Sequence, residues 1–252
     1  WLRRRRGGDR VAAVLFLGLV GSTLLATPLA AADAEKPDTV AVATGAADSS
    51  APADPELAAV LGHFDAAIAD IQDVRATFTQ RNWSPVFEDW EYSAGRLWYR
   101  VPGELVMRYE EPLHQEVFID TSGVWVYLVD QRQAQRYPFT TPAERDGSLA
   151  ILWRPSHELA ERYTITLAAA PPRGEAGGSW LALVPRDAEV AQVVSGLFLR
   201  LDPARGLSDC ILLERANGER VRLEIDTFEA NPGLDDDVFR FVPPEGVDVV
   251  RF

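Results

Sequence analysis

Few residues in this chain are of types and spacings that could make or break bonds. His63, His114 and His157 are its three histidines. None stands at metal-ligand spacing from another histidine or from Cys210, the lone cysteine. His63 sits one residue off an apolar helical stripe and reads as a surface or boundary residue. The sequence has no Gly-x-Ser-x-Gly elbow, phosphate loop or dinucleotide fingerprint. Asp235-Asp236-Asp237 and Glu110-Glu111 fall in loop contexts. They read as solvated or calcium-tolerant clusters rather than as an acid/base pair. With the inventory of reactive groups this thin, no catalytic residue, metal or cofactor is assigned, and an enzyme is not expected.

The chemistry that the sequence does offer is the shielding of apolar groups. From Gly95 to Pro112, two short strand patterns meet at Pro102-Gly103. That dipeptide suits a turn, because proline fixes φ and glycine tolerates positive φ. Strand side chains alternate between faces, so Leu97, Tyr99 and Val101 share one face while Arg96, Trp98 and Arg100 share the other. Beyond the turn, Leu105, Met107 and Tyr109 again fall together. The expected result is one wall of six largely apolar side chains.

The elements that would position this wall can be read in order. Asp54 is a suitable N-cap with Pro55 at the first helical position. Leu57, Val60, Leu61, Phe64, Ile68 and Ile71 then recur in steps of three and four, giving one amphipathic helix. From Val74 the period becomes two, with Val74, Ala76, Phe78 and Gln80 on one face, followed by a loop holding Trp83, Phe87 and Trp90. Past the central wall come strand patterns at 116–119, 124–129 and 134–137, then an interruption from Pro138 to Ala160 with apolar patches at 149–153 and 159–160. Further strand patterns cover 163–167, 180–184, 193–201, 207–215, 220–230, 239–242 and 247–250. Asn217-Gly218 is the strongest hairpin signal among them. Short strands with polar turns favour antiparallel meanders, and ten or eleven strands exceed what a flat open sheet carries without curling.

Charge and cysteine usage narrow the class. Arg3 to Arg6 with Arg10, the apolar run from Val11 to Leu25 and Ala30-Ala31-Ala32 form a secretory signal pattern, with cleavage expected after Ala32. Arg5-Arg6 has no further part of a twin-arginine motif around it. Trp1 in place of methionine suggests a start inside, or a mis-assigned start of, the reading frame. Residues 33–54, rich in Ala, Asp, Thr, Ser and Pro, read as a disordered linker, leaving residues 55–252 as one domain. Removing the signal's five arginines and Asp9 from 25 basic and 38 acidic residues leaves a formal charge of −17. Such a field disfavours nucleic acid and anionic lipid surfaces. A lone cysteine builds no internal disulfide, so the exported fold must rest on its core.

Four blocks carry a resemblance. Phe78-Thr79-Gln80, closing the first strand pattern, resembles the start of the LolA family, periplasmic carriers of outer-membrane lipoproteins. The run from Gly95-x-Leu97-Trp98 through Pro102-Gly103 to Tyr109 and Pro112 is similar to the next block. Asp120-x-x-Gly123-x-Trp125-x-Tyr127 resembles the third, and Phe239-x-Phe241-x-Pro243-Pro244-Glu245-Gly246-Val247 the last. The similarity spans almost all of residues 56–250. The LolB acceptor shares the fold but is itself lipidated, and no cysteine follows the signal cleavage site here.

The resemblance implies a mainly β fold with an α lid, an incomplete, half-open antiparallel β-barrel of about 11 strands covered by helices. It places an acyl cavity on Leu61, Phe64, Ile68, Leu97, Tyr99, Leu105, Met107 and Tyr109, and a lid at Arg100, Val101, Leu149 and Leu152. It further implies a monomeric periplasmic carrier of acylated lipoproteins. Its partners would be a LolCDE-like releasing transporter in the inner membrane and a LolB-like acceptor in the outer membrane. One departure bears on direction: the family's arginine before Pro-Gly is Val101 here, with Arg100 one position earlier on the opposite face. Either the lid is held by apolar contacts or a bulge turns Arg100 inward. Met107 likewise replaces an aromatic, a flexible gap-filler that also suits cores. The alternatives are a closed core without ligand, a carrier of another lipid or glycolipid, and an extracytoplasmic hydrolase, which would need a paired acid and base in a cleft.

Overall fold

The Asp54 side chain caps the first helix, accepting from the backbone N–H groups of Glu56 (3.0 Å) and Leu57 (3.4 Å), with Pro55 at the first helical position. The computed structural model describes residues 54–110, 112–140, 153–168 and 177–252. The expected signal and linker up to Ala53, and Leu149 and Leu152, lie outside them. Helix α1 (Pro55–Ala69) buries Phe64 and Ile68, while Leu57, Val60 and Leu61 are partly buried against the same core. The stripe read from the sequence is therefore the face that α1 turns inward.

A meander follows: β1 (Asp73–Ser84), β2 (Asp89–Arg100), β3 (Glu104–Tyr109), β4 (Gln115–Asp120), β5 (Gly123–Leu128) and β6 (Gln133–Pro138). After helix α2 (Ser156–Arg162) comes a second: β7 (Tyr163–Leu167), β8 (Ser179–Pro185), the single turn α3 (Ala188–Ala191), β9 (Val194–Leu201), β10 (Ser208–Arg215) and β11 (Arg220–Ala230). β12 (Asp248–Arg251) ends the chain. All twelve strands form one sheet in the order β12-β6-β5-β4-β3-β2-β1-β11-β10-β9-β8-β7. The early strand β1 joins the halves by pairing with both β2 and β11. The outermost strands β12 and β7 are neighbours of β6 and β8 alone, so the sheet stays open.

Four expectations change. Among the described residues the strands number twelve rather than about eleven. Trp83 and Trp90 are not in a loop but face one another across the β1–β2 ladder, with ring centroids 5.4 Å apart. Residues 239–242 form no strand. Phe239 is buried instead against Val106 and Phe118 on the outer face of the sheet, and Phe241 lies 4.9 Å from Phe118 and 5.3 Å from Trp125. Pro243 and Pro244 have no N–H to give a ladder, which keeps this crossing segment out of the sheet. It delivers β12 alongside β6 in parallel, the exception to an otherwise antiparallel sheet.

The core lies on the inner face. Val74, Ala76 and Phe78 of β1, Leu105 and Met107 of β3, and Leu199 and Ile211 of β9 and β10 belong to one buried cluster with Phe64 and Ile68. Because strands from both meanders contribute, the sheet wraps around a common interior under α1. Gly95 explains one close approach there. It pairs with Phe78 on one side and Tyr109 on the other. A Cβ at Gly95 would stand 2.2 Å from the Arg108 carbonyl oxygen and 3.0 Å from the Phe78 ring. The missing side chain lets Phe78 and Tyr109 meet edge to face at 5.1 Å.

The seam where the chain enters β1 is closed by two polar side chains. Buried Asp73 accepts from the N–H groups of Gly233 (3.2 Å) and Leu234 (3.0 Å). Asn231 accepts from the N–H of Gln72 (2.7 Å) and donates to the Asp70 carbonyl (2.8 Å). Asp73→Ala strands two donors beside the core and should cost about 1–3 kcal/mol, the usual penalty for an unmet buried group. Urea unfolding followed by far-UV circular dichroism measures it, and an unchanged midpoint would show that water satisfies those N–H groups.

Candidate functional site

Five residues of the expected wall stand where alternation put them. Leu97, Leu105 and Met107 have none of their surface exposed, and Tyr99 and Tyr109 are buried beside them. Cross-strand pairing stacks them, Leu97 opposite Met107 and Tyr99 opposite Leu105. Phe64 and Ile68 of α1 lie in the same cluster, with Leu61 half-buried at its rim.

Val101 does not join the wall. It lies in the turn between β2 and β3, ahead of a cis peptide bond to Pro102, and is exposed. Alternation ends where the strand ends, so counting onward by two placed it wrongly. Arg100 is not turned inward by a bulge. The β1–β2 register runs without a shift through Asp73–Arg100. The Arg100 guanidinium binds Glu104 (2.6 Å) and Asp236 (2.5 Å) and lies 4.4 Å over the Phe239 ring. It closes one wall of a polar depression of about 370 Å³ on the outer face, lined also by Asp120, Trp125 and Arg240. Arg100 thus ties the crossing segment to β2, on the side away from the interior.

The interior is not wholly apolar. The Tyr109 hydroxyl donates to Gln80 Oε1 at 2.9 Å, and Gln80 Nε2 donates to Asn82 at 3.0 Å. Gln80 has none of its surface exposed, so this chain satisfies an amide that burial would otherwise penalise. Burial also pushes the Tyr109 phenol well above its ordinary range and that of Tyr99 up to about 12. Both remain protonated donors at any physiological pH.

Two features of the cover were not read from the sequence as site features. Trp153 is buried against Tyr99, with ring centroids 4.8 Å apart. It had counted only as the end of an apolar patch. Asp65 of α1 accepts from the Ser156 N–H and the Ser156 hydroxyl, both at 2.6 Å. It thereby caps α2 from another helix and links the two helical segments. No local signal shows this, because the partners are 91 positions apart. At the far side, α1 comes close to the β9–β10 turn. A Cβ at Gly206 would stand 2.9 Å from His63 Nε2 and 3.0 Å from its carbonyl oxygen. Among the described residues no three of His, Cys, Asp and Glu are grouped to hold a metal ion. The arrangement is a largely apolar interior with a few fixed donors.

Comparison with known proteins decides the family. The model described as "Outer membrane lipoprotein carrier protein LolA" matches residues 69–242. The chain belongs to the LolA family. An outer-membrane lipoprotein carrier protein of Leptothrix cholodnii is 31% identical over 191 residues, 73% of this chain and 82% of that protein. Another, of Alkalilimnicola ehrlichii, is 29% identical over 182 residues, covering 72% of this chain and 79% of the other. Among solved structures, the LolA superfamily protein NE2245 from Nitrosomonas europaea is 14% identical, with a TM-score of 0.42 over 73% of this chain and 97% of that one. Within the LolA family match, β1 to Val242 are included, and with them the wall of β2 and β3 and Trp153.

The Asp65–Ser156 link yields a test. A charge-assisted pair of bonds to a helix start is worth about 1.5–3 kcal/mol. Asp65→Ala should therefore speed amide exchange across residues 156–162 by about tenfold or more. Protection in β10 and β11 should stay as it was. Hydrogen exchange by mass spectrometry reads both, and uniform acceleration would mean that Asp65 supports the whole core instead.

Proposed function

We propose that this chain is a periplasmic chaperone that takes the acyl chains of lipoproteins into the space between the sheet and its helical cover. It carries them from the inner membrane to the outer membrane and acts by binding alone. The observation that carries this reading is the single apolar cluster shared by α1, the β2–β3 wall and the second meander of an unclosed sheet. Membership of a family whose relatives are named as lipoprotein carriers supports it.

The physical logic has two sides. An acyl chain leaves water at a gain of about 0.8 kcal/mol per buried methylene. In the free protein, however, the interior side chains already cover one another. Cargo therefore gains only the difference between its contacts and those it displaces. Binding stays moderate and release remains feasible.

On this reading Leu61, Phe64 and Ile68 move with the cover, while Leu97, Tyr99, Leu105, Met107 and Tyr109 form the fixed floor. The expected lid positions Leu149 and Leu152 lie outside the described residues. Export would remove residues 1–32, and 33–54 would serve as a linker to the carrier domain of 55–252. An inner-membrane releasing transporter of the LolCDE kind and an outer-membrane acceptor of the LolB kind would be its partners.

A fluorescent fatty-acyl probe tests the reading. The purified protein should bind it, and Leu61→Glu should weaken binding about tenfold while the fold is kept, since Leu61 is only half-buried at the rim. Met107→Glu, at a fully buried position, should abolish binding and also lower stability. A parent protein that binds no probe would show that the interior is a closed core.

A further inference from the structure

Among the described residues, the interior holds an indole donor with nothing to bind. Trp153 is 1% exposed, and its Nε1–H has no hydrogen-bond partner in the described structure. Buried donors are seldom left so, because the missing bond carries the full cost of desolvation. The contrast with Trp180 is direct. It is buried just as deeply on the other face of the sheet, and its Nε1–H donates to the Gly177 carbonyl at 3.1 Å. Other buried atoms without partners belong to the guanidinium groups of Arg136, Arg154, Arg215 and Arg222, each of which is paired through its remaining nitrogens. An indole has no second donor. The neighbouring Tyr99 ring, 4.8 Å away, brings a hydroxyl that also makes no hydrogen bond within the described residues.

We propose that Trp153 and Tyr99 form a subsite for the carbonyl end of an acyl chain, with the indole N–H and the phenol O–H donating to an ester or amide oxygen. The inference rests on the carrier reading and adds to it which part of the cargo is recognised, and by what. An acyl chain has a single kind of acceptor, its carbonyl oxygen, at the junction between the tail and the rest of the cargo. Donors set in an apolar surround distinguish a chain that has this acceptor from one that lacks it, because the unmatched donors stay unpaired. The two donors differ in their support. Tyr99 is fixed in β2, opposite Leu105. Trp153 belongs to the cover, three residues ahead of the Ser156 held by Asp65. A carbonyl bound between them joins cover to floor. The phenol remains a donor throughout the physiological range, since burial holds its proton.

A matched pair of lipids tests this. Dipalmitoylglycerol, with ester carbonyls, and its dihexadecyl ether analogue, without them, compete separately against the fluorescent acyl probe on the purified protein. The parent should prefer the ester by about three- to tenfold, the equivalent of one neutral hydrogen bond. Trp153→Phe keeps an aromatic ring and removes the donor. It should bind the two lipids about equally, and its melting temperature should not fall by more than the loss of ring contact explains, because no bond in the free protein is broken. Tyr99→Phe should reduce the preference in the same direction and provides the second reading if Trp153→Phe does not fold. Equal binding of ester and ether by the parent overturns the subsite and leaves the carrier reading standing. An unchanged preference in both variants overturns it as well. Failure of the parent to bind the probe or either lipid removes the carrier reading, and the subsite with it.

Discussion

An open sheet with one strongly apolar face cannot stand in water by itself, and this constraint shapes the rest of the molecule. Closure by strand pairing would protect the face, but the outermost strands β12 and β7 do not pair with one another. Curling alone leaves a gap, so helical segments have to fill it. Phe64 and Ile68 of α1, Trp153 just ahead of α2 and Leu159 within it are accordingly buried as deeply as the strand residues they cover. A cover of this kind differs from a barrel wall in one respect that matters for binding. It is held by side-chain contacts and a few polar links rather than by a continuous backbone ladder, so it can separate from the sheet without unpairing any strand.

Polar links tie the cover and the sheet at a few defined points. Asp65 joins α1 to the start of α2, so the two segments act as a unit. Asp73 and Asn231 hold the end of α1's connection and the start of β1 to the residues after β11, which makes this seam a firm edge. On the outer face, Arg100 binds Glu104 and Asp236 and stacks on Phe239, fastening the crossing segment that brings in β12. These contacts are partly solvated, and individual exposed ion pairs contribute little. Their role is geometric. They fix which edges stay and leave the cover's apolar contacts as the weaker boundary.

The arginine that the resemblance would place before Pro-Gly is absent from that position here. The position is held by exposed Val101, and the nearest arginine is committed to acidic partners outside. The cover here rests on apolar contact, the Asp65–Ser156 link and the approach of α1 to Gly206.

By itself the sequence determined the periodic features. The cap at Asp54, the stripe of α1, the alternation through β1, β2 and β3 and the turn at Asn217-Gly218 are local, and each follows from backbone geometry and the water-avoidance of side chains spaced to suit it. That is why five of six wall residues and both buried helix residues were legible. The four blocks of resemblance likewise identified the family, since they follow the chain. Only the tertiary structure decided the rest. Val101 left the wall because the strand ended, which no period announces. Phe239 and Phe241 look like strand residues, but they pack on an aromatic surface built by strands more than a hundred residues earlier. Asp65 finds Ser156, Gln80 finds Tyr109, and Trp153 finds Tyr99's ring, through folding that brings distant residues together. Hydrogen-bond satisfaction depends on what lies within about 3 Å, and a sequence specifies that distance only through the whole fold.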